Sequence, residues 1–387
     1  MKDQHHQKKE TILDKAFQIW GNVHFHDTSL TGLAAEMGMT KPALYRYYSS
    51  KDLLEQAMEE RALNGYKNHT KDLESKLEEV SSKDWVGTYV EINAQYIREN
   101  RPYIRFLAYR CRDGRWLDTL SETLCQRLST QAERLGLPVL AIRWLDTLSL
   151  LASRGTTVHS SDVWRCIWEK GLGNEEQLDQ PSFDAIWKQA EAINYEVFPE
   201  EPLLKAVFET ILNEAEASVS LGKVAQRAGM SKSSLYNYWP SKKAMLEDVF
   251  SRLAQHYSHL YTTFIGALGD SKSVVFGTLA FMGTMLRRTP GLLHYLQRMM
   301  ALGGGKKAMR GAIHQPFHAP LKKVVEQGQL RTCGMKPDTV ASLFAISCVS
   351  EVRYQIQCSS NEAAFQNNII DFYRLIIGGK SVLGSTL

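Results

Sequence analysis

Apolar residues recur at helical spacing along nearly the whole chain. Near the N-terminus, five of them share one face of a predicted helix: Ile12, Leu13, Ala16, Phe17 and Trp20. The same pattern returns near the middle of the chain at Leu203, Leu204, Val207, Phe208 and Ile211. No segment shows the sustained period-two alternation and hairpin turns that mark strands. The pattern therefore predicts an all-α protein.

One block of sequence occurs twice. SLTGLAAEMGMTKPALYRYYSSK at 29–51 and SLGKVAQRAGMSKSSLYNYWPSK at 220–242 are identical at 11 of 23 positions, without a gap and at a constant offset of 191. Such a match indicates a tandem duplication of one unit. Pro199 and Pro202 mark the joint, because proline ends one helix and is tolerated at the start of the next.

Each copy of the block predicts two short helices joined by a tight turn. In the first copy, Leu30, Leu33, Ala34 and Met37 form an apolar stripe, and Gly38 offers the positive φ of a turn. The equivalent residues of the second copy are Leu221, Val224, Ala225, Ala228 and Gly229. A Thr or Ser N-cap then begins the second short helix. This is the helix-turn-helix layout, in which the second helix enters the DNA major groove.

The charge balance supports DNA binding locally rather than globally. The formal net charge of +4 is too weak by itself to imply a nucleic-acid partner. Residues 39–51 and 230–243, however, contain lysine or arginine and no acidic residue. Positive charge is thus concentrated where phosphates would lie. The alternative is a helix pair that serves only for packing, with Tyr47 and Tyr238 in the core.

The segments MGMTKPALYRYYSSKDLL and AGMSKSSLYNYWPSKKAML resemble the recognition-helix signature of TetR-type transcriptional regulators, which runs roughly AGVSKGTLYHYFPSKEAL. The resemblance implies an all-α fold of two TetR-like units arranged as an intramolecular pseudo-dimer. Each unit would combine an N-terminal helix-turn-helix DNA-binding three-helix domain with a helical ligand-binding and dimerisation domain. The predicted boundaries are 1–60 and 61–198, a linker at 199–202, then 203–256 and 257–387.

By the same resemblance, the second helix of each motif reads bases while lysines and tyrosines hold phosphates. The family pattern implies DNA-binding roles for Thr40, Lys41, Pro42, Ala43, Tyr45, Arg46, Tyr47 and Lys51 in the first copy. In the second copy it implies the same roles for Ser231, Lys232, Ser233, Ser234, Tyr236, Asn237, Tyr238 and Lys242.

The base-facing positions differ between the copies. Pro42, Ala43 and Arg46 would face one half-site, and the other half-site would face Ser233, Ser234 and Asn237. Arginine favours guanine and asparagine favours adenine. We therefore predict two unlike reading heads and an asymmetric operator.

In the family, the last two helices of each unit form a dimer interface and the middle helices enclose a ligand. The candidate interface helices are 138–158 with 181–198, and 337–357 with 361–378. The candidate effector-lining residues are Tyr89, Tyr103, Phe106, Trp144, Met282, Met285 and Met299. Aromatic rings suit a flat or hydrophobic effector and methionines suit an adaptable apolar pocket, but ordinary core packing explains both equally well.

Several classes of protein are disfavoured. The six cysteines include no CxxC pair, which argues against a disulfide framework or a zinc site and is typical of a reducing compartment. No catalytic or dinucleotide motif is present, so we expect no enzyme, no cofactor and no metal. The charged start MKDQHHQKKE and the short apolar runs predict a cytoplasmic protein without a membrane partner.

The sequence thus predicts a sequence-specific DNA-binding transcriptional regulator, and the family favours a ligand-responsive repressor. Its expected partners are a double-stranded DNA operator and an unidentified small-molecule effector. It would act as a monomeric pseudo-dimer or as a homodimer. The alternative is an architectural or tethering DNA-binding protein without small-molecule control.

Overall fold

The structure of the protein is a computed structural model. It describes residues 2–20, 29–110, 117–154, 160–174, 178–213, 220–289, 292, 315–358 and 361–385. Within these ranges every regular element is a helix, apart from one isolated antiparallel bridge between Gly173 and Leu330. The predicted all-α class is confirmed.

The helices of the first half are α1 (Lys2–Trp20), α2 (Leu30–Glu36), α3 (Lys41–Tyr45), α4 (Lys51–Glu78), α5 (Trp85–Glu99), α6 (Arg101–Arg110), α7 (Leu117–Leu135), α8 (Val139–Arg154), α9 (Ser161–Lys170) and α10 (Gln180–Glu191). Those of the second half are α11 (Pro202–Asn213), α12 (Leu221–Arg227), α13 (Lys232–Tyr236), α14 (Lys242–Ala267), α15 (Ser271–Arg288), α16 (Gln315–Glu326), α17 (Pro337–Cys358) and α18 (Glu362–Gly378). A 3₁₀ helix, Gly379–Ser385, follows α18.

Side-chain caps begin the long helices. Ser50 accepts a hydrogen bond from the Leu53 amide at 3.2 Å at the start of α4. Ser241 accepts one from the Ala244 amide at 3.1 Å at the start of α14. Each cap satisfies a backbone N–H that has no partner within its helix, and this determines where the helix begins.

The apolar side chains form two separate cores. The smaller core, which we call the first-head core, joins α1, α2, α3 and the start of α4 to two side chains of α6, Phe106 and Leu107. The larger core runs through the rest of the described chain and includes residues of both halves, with the second helix-turn-helix among them. The first helix-turn-helix is thus a separately packed unit, whereas the second is continuous with the body of the protein.

The two halves pack against each other along several helices. Helix α8, within the predicted interface segment 138–158, packs against α17 of the second half. The guanidinium of Arg143 on α8 lies 2.8 Å from the carboxylate of Glu351 on α17 and 3.4 Å from the ring centroid of Tyr354. Because only 1% of the Glu351 side chain is exposed, this ion pair lies inside the contact between the halves.

Helix α10 crosses from the first half onto the second. It packs along α15 and also contacts α18. The ring of Phe183 on α10 lies edge-on to Phe276 and Tyr373, and Trp187 lies edge-on to Phe365. A helix from before the proline joint therefore completes the core of the half that follows the joint.

The cysteines differ from the expectation that the sequence raised. Cys166 on α9 and Cys333, between α16 and α17, form a disulfide with their Cα atoms 5.8 Å apart. They are separated by 167 residues, so a search for closely spaced cysteines does not detect them. The pair exists because packing of the two halves brings the two segments together.

In the part of the chain that is described, no single helix is long and apolar enough to cross a membrane. By length and composition alone, one pair passes the same test together: Gln126–Leu135 and Val139–Arg154, which are bent by 100° at their junction.

Candidate nucleic-acid interface

The first helix-turn-helix is formed by α2 and α3. Ser29 caps α2 by accepting a hydrogen bond from the Gly32 amide at 3.2 Å, and Thr40 caps α3 by accepting one from the Ala43 amide at 3.3 Å. Between the helices, Gly38 has φ of +68°, a conformation that L side chains rarely adopt. The predicted turn, cap and helix pair all lie at the expected residues.

The second helix-turn-helix, α12 and α13, repeats this construction. Ser220 caps α12 through the Lys223 amide at 3.2 Å, and Ser231 caps α13 through the Ser234 amide at 3.0 Å. Gly229 makes the turn with φ of +66°. The two motifs therefore share their backbone geometry as well as their sequence.

Each motif has one buried and one exposed face. The side chains that hold the motifs in place are nearly inaccessible: Leu44 and Leu235 are 0% exposed, Tyr48 4% and Trp239 6%. The other face carries most of the residues assigned to DNA. Those that are exposed are Thr40, Lys41, Pro42, Tyr45, Arg46, Ser231, Lys232, Ser233, Tyr236, Asn237 and Tyr238, and those that are half-buried are Ala43, Tyr47, Lys51, Ser234 and Lys242.

The exposure of two tyrosines argues against the alternative interpretation, in which the helix pair serves only for packing. Tyr238 is 60% exposed and Tyr236 is 47% exposed, which is unusual for such large rings. Tyr47 is half-buried, and its ring stacks on His5 with a centroid distance of 4.7 Å. A motif that served only for packing would hold Tyr238 in its core, whereas this residue faces outward.

Helix α1 contributes residues near the first reading head that sequence reasoning did not assign to it. His5 contacts Tyr47, and the ammonium group of Lys9 lies 5.7 Å from the ring centroid of Tyr48. The Nζ of Lys15 donates a hydrogen bond of 2.7 Å to the Met37 carbonyl at the end of α2. The signal available in the sequence was the basic, histidine-rich start of the chain, but its position depends on how far α1 extends.

A second group of polar side chains lies inside the first half, between α4, α5, α7 and α8. We call it the polar cluster, and its members are Tyr66, His69, Tyr89, Asn93, Tyr96, Arg127, Gln131 and Asp146. The Tyr89 hydroxyl donates to the Asp146 carboxylate at 2.8 Å, and the Arg127 guanidinium lies 3.4 Å from the centroid of the Tyr66 ring. Two of its buried atoms, the Tyr96 hydroxyl and Arg127 Nε, have no hydrogen-bond partner among the described residues.

Burial controls ionisation in the polar cluster. It raises the pKa of Tyr66 and of Tyr96 to about 12. It also raises the pKa of the Asp146 carboxyl, although the hydrogen bond from Tyr89 opposes this shift. Burial lowers the pKa of His69, which favours the neutral ring. The cluster therefore brings tyrosine hydroxyls, an imidazole whose neutral form is favoured and the Asp146 carboxyl together beside one guanidinium.

The candidate effector-lining residues do not form one group. Tyr89 belongs to the polar cluster, whereas Tyr103 and Phe106 on α6 contact Phe17 in the first-head core, at centroid distances of 4.3 and 5.5 Å. Trp144 lies edge-on to Phe372 of the second half. Two further candidates, Met282 and Met285, are buried on α15, and Met299 lies outside the described residues.

The interior of the second half is mainly apolar. Phe281 lies at the centre of a group of rings that includes Tyr261, Phe264 and Phe317. The Tyr261 hydroxyl has a partner, because it forms a hydrogen bond of 2.8 Å with Thr278.

Two helix-turn-helix motifs with exposed, acid-free second helices define a DNA-binding protein. The family model for bacterial regulatory proteins of the tetR family matches the chain twice, at residues 12–58 and 204–249. Each match contains one of the two motifs. Each half of the chain therefore begins with a DNA-binding domain of the TetR type, which is a tandem TetR-like arrangement.

Two solved structures of transcriptional regulators are similar to about half of this chain. The transcriptional regulator FadR from Bacillus subtilis, in complex with stearoyl-CoA, is 14% identical over 46% of this chain and 97% of its own, with a TM-score of 0.39. The TetR family transcriptional regulator PfmR from Thermus thermophilus is 18% identical over 48% of this chain and 97% of its own, with a TM-score of 0.33. A search of curated proteins gave no match.

Proposed function

We propose that this protein is a sequence-specific transcriptional regulator that carries two unlike reading heads and binds an asymmetric operator of two half-sites. The observation that carries the proposal is the pairing of like backbones with unlike surfaces. Both motifs have the same caps and the same turn, but they present different base-facing side chains: Pro42, Ala43 and Arg46 in one, Ser233, Ser234 and Asn237 in the other.

The chemistry of these side chains gives each head a preference. Arg46 suits the two acceptors of guanine, Asn237 suits the paired donor and acceptor of adenine, and Ala43 suits a thymine methyl group. Backbone phosphates would be held by Lys41, Tyr45 and Lys51 in the first head and by Lys232, Tyr236 and Lys242 in the second. Thr40, Tyr47, Ser231 and Tyr238 complete the two surfaces.

We further propose that the halves act as an intramolecular pseudo-dimer. The contacts of α8 with α17 and of α10 with α15 support this arrangement, because they hold the halves together without a second chain. The buried pair of Arg143 and Glu351 gives the contact a defined register. Two heads held in this way would meet half-sites centred roughly 34–36 Å apart, about one turn of DNA.

For the effector we propose the polar cluster of the first half. Buried polar atoms without partners, such as the Tyr96 hydroxyl and Arg127 Nε, cost free energy that a bound ligand with matching groups would recover. Asp146, Tyr89 and Arg127 would supply hydrogen bonds, and the rings of Tyr66 and Tyr96 would supply flat apolar contacts. The ligand that fits this chemistry is a small molecule with a planar body and polar substituents.

The route from this cluster to the first head runs through α6. Helix α6 contacts α5, which carries Tyr89 and Tyr96, and it also contacts α1 of the head. Phe106 on α6 is 0% exposed and packs on Phe17 and Trp20. A ligand that binds better to a displaced α6 would shift the population toward a state whose heads no longer match the groove. Release of this kind describes a repressor.

The test of DNA recognition is selection of bound sequences from a random DNA pool, together with the mass of the protein–DNA complex. We expect an asymmetric motif with two half-sites and one chain bound. A perfect palindrome bound by two chains would overturn the pseudo-dimer. The absence of any enriched motif would instead support a tethering protein without sequence preference.

The effector site is tested with a panel of planar polar compounds and thermal unfolding. We expect that compounds which raise the Tm of the wild-type protein and weaken its operator binding have no effect on an Arg127→Met variant. The matched control is Tyr261→Phe, which removes a buried hydroxyl from the second half and should keep the response. Loss of the response in the control alone would move the site to the second half.

A further inference from the structure

The disulfide between Cys166 and Cys333 joins the two halves at a place remote in sequence from the joint at 199–202. Cys166 lies on α9 of the first half, and Cys333 lies in the turn that precedes α17 of the second half. Apart from the continuous backbone, it is the covalent link between the halves in the described part of the chain. Its state therefore affects how freely the halves move relative to each other.

The disulfide lies beside a group of backbone hydrogen bonds between the two halves, which we call the seam. The Leu172 amide donates to the Ile376 carbonyl at 2.8 Å, and the Gly173 amide donates to the Ile377 carbonyl at 3.0 Å. The Arg331 amide donates to the Leu172 carbonyl at 2.7 Å. The first two bonds join the segment after α9 to the end of α18, and the third joins it to the segment that carries Cys333. The two thiols therefore stay close when the disulfide is reduced.

The close approach in this seam depends on glycine. A Cβ atom at Gly171, which has φ of +64°, would lie 2.2 Å from the Ile377 carbonyl oxygen. A Cβ atom at Gly379 would lie 2.6 Å from the Gly171 nitrogen. Side chains larger than glycine at these two positions would therefore push the two halves apart. We expect the backbone hydrogen bonds of the seam to remain when the disulfide is reduced.

The other described cysteines differ from this pair. Cys348 is buried, and burial raises the pKa of its thiol far above the ordinary value, so its reactive thiolate is suppressed. Cys358 is exposed. Cys166 and Cys333 are both half-buried, which leaves room for small reagents to reach them.

We propose that Cys166 and Cys333 form a reversible thiol–disulfide site that takes low-molecular-weight disulfides and thiols as co-reactants and sets the strength of operator binding. This inference rests on the DNA-binding function proposed above. In a compartment that keeps thiols reduced, a protein disulfide is usually transient and serves catalysis or redox sensing.

The chemistry balances by two exchange steps. The thiolate of one cysteine attacks a sulfur of the small disulfide, so a mixed disulfide forms and one small thiolate leaves. The second cysteine thiolate then attacks the protein sulfur of that mixed disulfide, which closes the Cys166–Cys333 bond and releases the second small thiolate. The protein loses two electrons and the reagent gains them, and the two thiol protons pass to the released thiolates.

The oxidised chain should bind the operator more tightly. Both heads must contact DNA at the same time, and a link between the halves reduces the relative freedom that binding removes. Reduction leaves the seam in place but restores part of that freedom. We expect the oxidised protein to bind about tenfold more tightly than the reduced protein, since the link raises the effective concentration of the second head.

The experiment measures operator Kd for the full chain after treatment with oxidised glutathione or with dithiothreitol. It uses the wild type, Cys166→Ser, Cys333→Ser, and the matched control Cys358→Ser. Peptide mapping under non-reducing conditions reports which cysteines are joined, and thermal unfolding reports the link independently of DNA. We expect the redox response in the wild type and the control, and its loss in both other variants.

Three results would overturn the proposal. One is an equal Kd for the oxidised and reduced wild type, and another is a response that persists in Cys166→Ser. The third is a peptide map in which Cys166 and Cys333 stay unlinked after oxidation. If no form bound the operator, the DNA-binding function and this regulation would both fall, whereas a Tm difference between oxidised and reduced wild type would still establish the link.

Discussion

The first half and the second half begin with nearly the same head, but the heads are attached to the rest of the molecule in different ways. The first head has a core of its own, which reaches the body through Phe106 and Leu107 on α6. The second head shares one continuous core with the body. Helix α4 also runs from this core into the body, because Leu54 lies in the first-head core and Leu73 in the larger one. Two helices thus join the first head to the body, whereas the second head is packed into it, and this leaves the first head the freer of the two to move as a unit.

The interiors of the two halves also differ. The polar cluster of the first half contains two buried atoms that have no partner among the described residues. The second half also buries such an atom, His256 Nε2, but the interior around Phe281 is filled with rings. Filled, well-packed interiors leave little for a ligand to gain. This difference is the reason why the proposed effector site lies in the first half.

The largest effect on the free energy of unfolding is expected at the contact between the two halves. Arg143→Met would leave the Glu351 carboxylate buried without its guanidinium and should cost about 3–5 kcal/mol of unfolding free energy. Urea unfolding measures this cost. The control is Lys205→Met, whose exposed pair with Glu196 contributes little. Equal stability of Arg143→Met and the wild type would mean that the halves do not depend on this pair.

The next effect separates the two heads. Leu44 and Leu235 occupy equivalent positions and are both 0% exposed, so each change to alanine should cost about 2–5 kcal/mol. Leu44→Ala should produce a separate early transition in calorimetry, because the first head has its own core. Leu235→Ala should lower the main transition instead. One shared transition in both variants would contradict the distinction between the heads.

A smaller effect tests the reading heads on DNA. Arg46→Ala and Asn237→Ala should each weaken operator binding by about 1–3 kcal/mol and relax base preference at one position. The relaxed positions should lie in different half-sites, which selection of bound sequences from each variant would report. Relaxation of the same position in both variants would show that the heads read alike.

The smallest effect is a dependence on pH. Burial lowers the pKa of His69 below its ordinary value of 6.5. The unfolded chain therefore binds a proton more readily than the folded chain, and stability falls as the pH drops below about 6.5. His69→Gln should flatten this fall, as measured by urea unfolding between pH 5 and pH 8. His256→Gln is the matched variant in the second half, where burial lowers the pKa of His256 as well.

Much of each head was predictable before the structure. The stripe of Leu30 and Leu33, the turn at Gly38 and the cap at Thr40 follow from spacing and from the conformational preferences of single residues. The inward position of Trp239 and the outward position of Asn237 follow from helical periodicity in the same way.

The side-chain contacts in the interior could not be predicted in this way. Tyr103 and Phe106 resembled lining residues of a pocket because they are aromatic, but they pack in the first-head core. The partnership of Tyr89 with Asp146 joins residues 57 positions apart, which no local pattern encodes. Composition indicated where rings were abundant, not which surfaces they would fill.

By itself the sequence determined the duplication, the helical class, and the residues that form and cap both heads, because these depend on interactions within a few residues. Tertiary structure alone decided that α10 crosses onto α15, that Arg143 meets Glu351, and that Cys166 meets Cys333. Contacts of this kind depend on which faces pack together, and packing is a property of the whole chain rather than of any segment.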